Sequence, residues 1–310
     1  MRLVFSTVRT LTLVSDGRIN YSIILVRCQR NLKLYIEKRL PLHSIITGHA
    51  EQEARAITRC SHRNIVQAYV ASFDLQGFGH GSIFMEYCPL GSLEDLILRF
   101  RERRVSFPEG FLWKVLWDLS LALAYLQTGV DAAPRAFEGQ PVNRREIGWD
   151  RIIHRDIKPA NIFFTTRDQE TQYPTAVLAN FGCSDMSGYR PLPMMNARTQ
   201  PFAAPEGPQY HSTGDVYSVA LTIHYMAKID GRPSHDMSRR QYLPAPRYCK
   251  ILNDLLFRCL EENPQDRPDA RDLPYLVWRE MRRAKRERER RGLPRETLPT
   301  WAFRHTDSSQ

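Results

Sequence analysis

Three polar side chains of different chemical types follow one another closely at Asp156, Lys158 and Asn161. A carboxylate can accept the proton of a hydroxyl group, a lysine can steady a phosphoryl group in motion, and an amide oxygen can hold a magnesium ion. The run from Ile153 to Phe163 therefore sets a base, a cation and a metal ligand at the spacing that phosphoryl transfer to a protein hydroxyl requires.

The segments around this run must position it. Short runs of β-branched and aromatic residues over 10–40 predict a three-stranded antiparallel meander, and further strands are predicted over 65–73 and 81–87. A helix is predicted over 51–60, and the chain after Ser92 is predominantly helical by its apolar periodicity. Strands followed by helices indicate an α+β chain in two lobes.

Composition limits the classes of protein to which the chain can belong. The 310 residues are 42% hydrophobic and 25% charged, which is ordinary for a soluble globular protein. No apolar run is long enough to span a membrane, so no membrane partner is expected. The six cysteines are scattered without a zinc-like spacing, which indicates reduced thiols in a cytoplasmic or nuclear protein.

The net charge of +10 is concentrated near the C-terminus. Residues 279–295 hold nine Lys and Arg against three Glu, a net charge of +6. One interpretation is a solvated helix extension, and the alternative is a segment that binds an acidic partner, a nucleic acid or the import machinery. No aromatic residues alternate with the arginines, so base stacking and hence nucleic-acid binding are not indicated.

The run from His154 to Asn161 fits the pattern His-Arg-Asp-x-Lys-x-x-Asn, and the chain resembles eukaryotic protein kinases of the serine/threonine type. The resemblance implies a bilobal fold, with Asp156 as proton acceptor, Lys158 at the moving phosphoryl group and Asn161 as metal ligand. Further landmarks follow in the family's order. Residues 199–206, which end in Ala204-Pro205-Glu206, resemble the end of the family's activation segment. The resemblance also implies that Asp215 braces the backbone of the catalytic loop and that Glu206 and Arg267 form a buried ion pair. Lys158-Pro159-Ala160-Asn161 and Met85-Glu86-Tyr87-Cys88 are similar to the NIMA-related group.

The same resemblance places the nucleotide. Lys38 takes the position of the lysine that pairs with the α and β phosphates of ATP, and Glu53 is its candidate partner. The alternatives are a solvated strand lysine and an ordinary surface acid. Ile36 replaces the small residue that lies against adenine, Met85 matches the gatekeeper, and the hinge backbone that reads the adenine edge comprises Glu86, Tyr87 and Cys88.

Two departures from the family pattern bear on catalysis. The glycine-rich loop keeps only Gly17, out of register, which predicts a weak lid over the phosphates. Asn180 replaces the aspartate that binds magnesium between the β and γ phosphates, and a neutral amide is a weaker ligand for a hard cation. ATP with Mg²⁺, or with Mn²⁺, is the expected cofactor, and Asn161 and Asn180 are the candidate metal ligands.

The expected domain is a protein kinase domain over 8–281, followed by a basic tail over 282–310. Within it we expect a small lobe over about 8–85, a hinge over 86–91 and a large lobe over 92–281, with an exposed loop insertion over 128–149. A slow ATP-dependent serine/threonine kinase acting on a protein substrate is one hypothesis, and a pseudokinase that binds a protein partner is the other. Phosphorylation of Ser184, Ser187 or Thr199 would be a candidate switch for activity.

Overall fold

In this computed structural model, the backbone is described over residues 4–16, 19–73, 80–167, 172–187, 200–207, 211–228 and 243–303. The side chains of residues 12–21 and 200 are not described. Gly17 and Thr199, which the sequence singled out, lie outside the described residues.

The small lobe is a five-stranded antiparallel sheet in the order β1-β2-β3-β5-β4. Its strands are β1 (Phe5–Asp16), β2 (Ile19–Cys28), β3 (Leu34–Pro41), β4 (Ala68–Ser72) and β5 (His80–Glu86). The predicted meander over 10–40 and the two later strands are confirmed, because runs of β-branched and aromatic residues fit a pleated, half-buried surface.

Two helices follow β3, α1 (Leu42–Ile46) and α2 (His49–Arg59). Gly48 separates them with a φ of 81°, a left-handed conformation that glycine adopts without steric cost. The buried face of α2 is apolar except for one acid, and it comprises Ala50, Glu53, Ala54, Ala56 and Ile57. The predicted helix over 51–60 is confirmed, and its inward face carries Glu53 toward the sheet.

The large lobe is mainly helical. Its helices are α3 (Leu93–Glu102), α4 (Glu109–Thr128), α5 (Ala133–Phe137), α6 (Ser212–Ala227), α7 (Lys250–Cys259) and α8 (Leu273–Arg290). Helix α4 is apolar on nearly every side and runs through the core, as expected of a helix surrounded by others. Ser92 and Asp95 form a reciprocal cap at the start of α3. The predicted α+β fold in two lobes is confirmed.

Four short strands form the framework of the predicted catalytic loop. Strand β6 (Ile152–Ile153) pairs with β9 (Asp185–Met186), and β7 (Ile162–Thr165) pairs with β8 (Thr175–Leu178). The run from His154 to Asn161 connects β6 to β7, so both of its ends are fixed by strand pairing.

The predicted exposed loop over 128–149 is only partly exposed. Helix α5 lies within it, and the buried Trp149 donates from Nε1 to the carbonyl oxygen of Leu126 at 3.1 Å. The Phe137 ring lies 4.6 Å from that of Trp278 on α8. These anchors are isolated apolar residues without helical or strand periodicity, which is why the pattern indicated a loop.

The predicted basic tail packs against the large lobe as far as it is described. Helix α8 continues to Arg290, and the chain then returns to α3 and α4. A carboxylate oxygen of Glu296 accepts from the backbone N–H of Glu109 at 3.0 Å, at the start of α4. Arg99 donates to the carbonyl oxygen of Ala302, which is fully buried. Residues up to 303 therefore complete the large lobe.

Among the helices in the described part of the chain, none is long and apolar enough to cross a membrane.

Candidate active site

A buried ion pair joins the sheet of the small lobe to helix α2. Alternation along β3 puts Ile36 and Lys38 on the same face, opposite Met85 and Ile83 of β5. The Nζ of Lys38 lies 2.5 Å from Oε1 of Glu53, and both side chains are less than a tenth exposed. These two residues, which the sequence suggested as partners, are brought together across fifteen positions of the chain.

His154 fixes the backbone of the loop that carries Asp156. Burial lowers the pKa of His154 to about 4, so its imidazole is neutral at physiological pH. Its Nδ1 accepts from the backbone N–H of Asp156, so the proton resides on Nε2, which donates to the carbonyl oxygen of Ala179 at 3.0 Å. The histidine thus links the catalytic loop to the segment that ends in Asn180.

Asp215 on α6 holds the same loop from the other side. Its two carboxylate oxygens accept from the backbone N–H groups of His154 at 2.7 Å and Arg155 at 2.9 Å. Burial raises the pKa of Asp215 to about 7. Arg155 has a φ of 68°, a left-handed conformation that is unfavourable for a residue with a side chain. The bonds to Asp215 offset that strain, as the family resemblance implied.

The large lobe has a second buried ion pair that the resemblance implied. Both Nη atoms of Arg267 lie 2.9 Å from the carboxylate oxygens of Glu206. This bidentate pair anchors the end of the activation segment to the turn before α8.

One continuous chain of hydrogen bonds runs through the candidate site. Lys38 donates to Oδ1 of Asn180 at 3.1 Å, and Nδ2 of Asn180 donates to Oδ1 of Asn161 at 3.1 Å. Nδ2 of Asn161 in turn donates to Oδ2 of Asp156 at 2.8 Å. Lys158 completes the chain with its Nζ 3.0 Å from the same Asp156 oxygen. All four candidate catalytic residues and both candidate metal ligands therefore belong to one connected network.

The charges at its two ends fix the orientation of both amides. A lysine ammonium can only donate, so Asn180 must turn its oxygen toward Lys38 and its N–H₂ group toward Asn161. An ionised Asp156 can only accept, so Asn161 must turn its N–H₂ group toward that carboxylate. Flipping either amide would place two donors or two acceptors together. The arrangement of the two asparagines follows from Lys38 and Asp156.

This donor set fits Mg²⁺ poorly. Magnesium prefers charged oxygen ligands, and the two candidate ligands are neutral amides. The Asn161 oxygen already accepts from Asn180, and the Asn180 oxygen already accepts from the cation Lys38. Within the described residues, no group of three or more His, Cys, Asp or Glu side chains is placed to hold a metal ion.

The candidate adenine region lies at the end of β5. Met85 and Cys88 are buried, and Tyr87 is half-buried. The backbone N–H of Glu86 donates to the carbonyl oxygen of Gln67 within the small lobe, so that donor is already occupied. Burial raises the pKa of the Cys88 thiol to about 12, which keeps it protonated.

Two residues that the sequence analysis passed over make long-range contacts near the candidate site. Arg167, after β7, forms an ion pair with the Glu86 side chain and donates to the carbonyl oxygen of Arg63 at 2.8 Å. Gln52 on α2 donates to the carbonyl oxygen of Ser184 at 2.8 Å. No motif marks either residue, because each contact joins segments that are distant in sequence.

Asp185 lies at the catalytic loop. Its carboxylate pairs with the guanidinium of Arg155 at 2.7 Å.

Two of the proposed phosphorylation sites have structural roles. Ser184 is buried, and its hydroxyl donates to the carbonyl oxygen of Phe181 at 2.7 Å. Ser187 accepts at its hydroxyl from the backbone N–H of Arg151 at 2.8 Å.

Comparison with known proteins agrees with this geometry. A family model described as Protein kinase domain matches residues 147–278. The G2-specific protein kinase nimA of Emericella nidulans is 24% identical over 304 residues, covering 90% of this chain and 40% of that protein. The probable serine/threonine-protein kinase nek2 of Dictyostelium discoideum is 25% identical over 235 residues, covering 71% of this chain and 50% of that protein.

A third relative is the G2-specific protein kinase fin1 of Schizosaccharomyces pombe, which is 28% identical over 240 residues. The chain thus spans between 31% and 50% of the length of these curated relatives. Residues 147–278 thus match a protein kinase domain, and the chain is similar over most of its length to NIMA-related serine/threonine kinases.

Proposed function

We propose that the protein is a slow serine/threonine protein kinase that transfers the γ-phosphoryl group of ATP to a protein hydroxyl. The observation that supports this most strongly is the buried pair of Lys38 and Glu53, linked through the asparagines to Asp156 and Lys158. Both charges of a buried ion pair lose their hydration, which costs free energy. A fold therefore retains such a pair most readily where the charges serve a function.

In this proposal, the substrate hydroxyl oxygen attacks the γ-phosphorus while the bond from phosphorus to the bridging oxygen of ADP breaks. The hydroxyl proton passes to Asp156, and ADP leaves with the electron pair of the broken bond. Lys158, whose Nζ lies 3.0 Å from Asp156, supplies positive charge beside the transferring group.

Lys38 orients the α and β phosphates, and Glu53 holds the lysine in place. Ile36 and Met85, which are paired in register, contact the adenine from the small lobe, and the Glu86 to Cys88 backbone lies along its edge. Gly17, which lies outside the described residues, keeps its proposed cofactor-binding role from the family resemblance alone.

Asn180 is the proposed cause of slow turnover. A bound metal ion would neutralise charge that develops between the phosphates, but the two amides offer it weak ligands that already have partners. If the exchange of carboxylate for amide forfeits about 4 kcal/mol of transition-state stabilisation, the rate falls about a thousandfold. Mn²⁺ accepts nitrogen and neutral oxygen ligands more readily than Mg²⁺ and should support faster turnover.

The remaining proposals concern context. We propose a cytoplasmic or nuclear protein, because all six cysteines are free. We propose that the kinase domain extends from about residue 8 beyond 281 to 303, since residues 296–302 pack on α3 and α4.

The exposed basic face of α8, which includes Arg282, Lys285 and Arg286, is the proposed contact for an acidic protein partner.

A phosphotransfer assay with labelled ATP tests the main proposal. Wild type should label a generic protein substrate slowly, faster with Mn²⁺ than with Mg²⁺, and Asn180→Asp should raise the Mg²⁺-dependent rate by about a hundredfold or more. Asp156→Asn is the matched control, because it keeps the side chain's size while removing the base. Labelling by wild type that survives Asp156→Asn would contradict the proposal.

A second candidate function is a pseudokinase that acts as a binding module. The observation that favours it is the hydrogen-bonded chain itself, since every polar atom between Lys38 and Asp156 has a partner within the protein. No labelling by wild type with either metal, together with clear labelling by Asn180→Asp, would favour this candidate over the first.

A further inference from the structure

The carboxylate of Asp185 forms an ion pair with the guanidinium of Arg155. Asp185 lies on β9 directly opposite Ile153 of β6, and its Oδ2 accepts from Nη2 of Arg155 at 2.7 Å. Both side chains are between a fifth and a quarter exposed, so the pair is only partly screened by solvent. The Arg155 Nε is buried without an acceptor among the described residues, which leaves Asp185 as the anion that compensates this guanidinium.

Arg155 immediately precedes Asp156, the proposed base. Its backbone is held in the left-handed conformation by Asp215, and its side chain is held by Asp185. The catalytic loop is therefore fixed at Arg155 through both the main chain and the side chain. Releasing the guanidinium would remove the side-chain anchor of the residue that immediately precedes Asp156.

Kinase activation segments are commonly ordered when a phosphorylated residue pairs with an arginine. Here the arginine already has a carboxylate partner from the chain itself. A phosphate brought to Arg155 would lie beside the Asp185 carboxylate, and like charges repel at that distance. Helix α2 contacts this segment through the neutral Gln52, which donates to the Ser184 carbonyl oxygen.

We infer that Asp185 is a positioning residue, which orders the catalytic loop through Arg155 without phosphorylation of the activation segment. The inference rests on the proposed function only in calling the loop catalytic. The ordering itself is a property of the fold and can be measured without turnover.

Hydrogen exchange on phosphate-free protein tests it. Amides of residues 152–156 and 183–187 should be protected in wild type and should exchange about tenfold faster in Asp185→Ala, because a charge-assisted bond that closes this unit is lost. Asp185→Glu should restore part of the protection. Asp254→Ala is the matched control, since it removes a carboxylate from an exposed pair with Lys250 and should leave these amides unchanged.

Rescue by added phosphate distinguishes a positioning role of Asp185, which acts through its charge, from a packing role of its side chain. Inorganic phosphate should restore protection in Asp185→Ala by binding the freed Arg155, but it should not change wild type or the double variant Arg155→Ala/Asp185→Ala. Should Asp185→Ala fail to fold, Asp185→Asn keeps the volume and gives the same comparison. The inference would be overturned if the amides of Asp185→Ala exchanged as slowly as those of wild type, or if added phosphate slowed exchange in wild type. Either result would count whether or not the protein proves to be a kinase.

Discussion

The side-chain amide of Asn180 donates to Oδ1 of Asn161 at 3.1 Å, so the two candidate metal ligands are bonded to each other. An aspartate at position 180 could not make this bond, because a carboxylate has no proton to donate. The asparagine therefore does more than weaken a ligand. It supplies the donor that occupies the other ligand's oxygen.

The first prediction concerns nucleotide binding and metal. Wild type should bind ATP with an affinity that changes less than about threefold between Mg²⁺ and a chelator, because neither amide gains from the ion. Asn180→Asp should bind at least about tenfold more tightly with Mg²⁺, because it restores a charged ligand. Calorimetric titration with ATP under both conditions measures the ratio. A tenfold gain with Mg²⁺ in wild type would contradict the prediction.

The second prediction concerns the pair of Lys38 and Glu53. Lys38→Met should lower the free energy of unfolding by about 3 to 5 kcal/mol, because it leaves Glu53 charged and buried without its cation. The double variant Lys38→Met/Glu53→Gln should recover most of that loss. Guanidinium denaturation gives the free energies.

The exposed pair of Arg55 and Glu51 on the same helix is the control for this cycle. Arg55→Met should change the free energy of unfolding by less than about 1 kcal/mol, as solvent-exposed pairs do. If Lys38→Met and Arg55→Met lowered the free energy of unfolding equally, the loss would not depend on burial of the charge, which would contradict the prediction.

The third prediction concerns pH. The pKa of His154 falls from 6.5 to about 4 on folding because burial disfavours the imidazolium. The unfolded chain therefore binds more protons between pH 6.5 and pH 4, and the stability that the neutral histidine contributes is lost as pH falls through this window. Protonation of His154 alone should lower the free energy of unfolding by about 3 kcal/mol across this window.

His154→Gln keeps an acceptor and a donor but does not titrate, so the difference in unfolding free energy between wild type and this variant should shrink from pH 7 to pH 4. His224 and Asp215 titrate in both proteins, so their effects cancel in the difference. Parallel profiles for wild type and His154→Gln would show that His154 is not held neutral.

The fourth prediction concerns the returning C-terminal segment. The Trp301 ring lies 4.8 Å from that of Phe100 and beneath the Arg103 guanidinium. Trp301→Ala should lower the free energy of unfolding by about 2 kcal/mol, because it removes aromatic and cation–π contacts from a partly buried site. Leu293→Ala, at an exposed position of the same segment, should cost less than about 0.5 kcal/mol. Denaturant unfolding measures both variants, and equal losses for Trp301→Ala and Leu293→Ala would refute the role of Trp301.

The elements with strong local patterns were predictable from the sequence. The meander, helix α2 and the loop from His154 to Asn161 depend on residue types close together in the chain, and the fold has them where they were predicted. The position of Asn180 was also predicted as the weak point of the site. Its bond to Asn161 was not, because that bond depends on how two turns approach each other in space.

The features that the sequence did not indicate are long-range and rest on single residues. Arg167 reaches the hinge, Asp185 reaches Arg155, and Trp149 anchors an otherwise polar loop, each without a periodic pattern. A pattern of apolar residues reports that a segment has a buried face, but it does not specify which distant polar group meets which. Such contacts become visible only in three dimensions.

The return of the chain to α3 and α4 has a consequence for biosynthesis. Arg99 and Ala302 are separated by 203 positions, and Phe303 packs on the Phe164 ring of β7. Until residues 296–303 have left the ribosome, the start of α4 has no Glu296 to accept from its backbone, and Phe164 lacks one of its neighbours. The large lobe can therefore complete its core only after residue 303 has emerged, whereas the small lobe has all its strands after residue 86. We expect the two lobes to fold at different stages of translation, in the order in which they leave the ribosome.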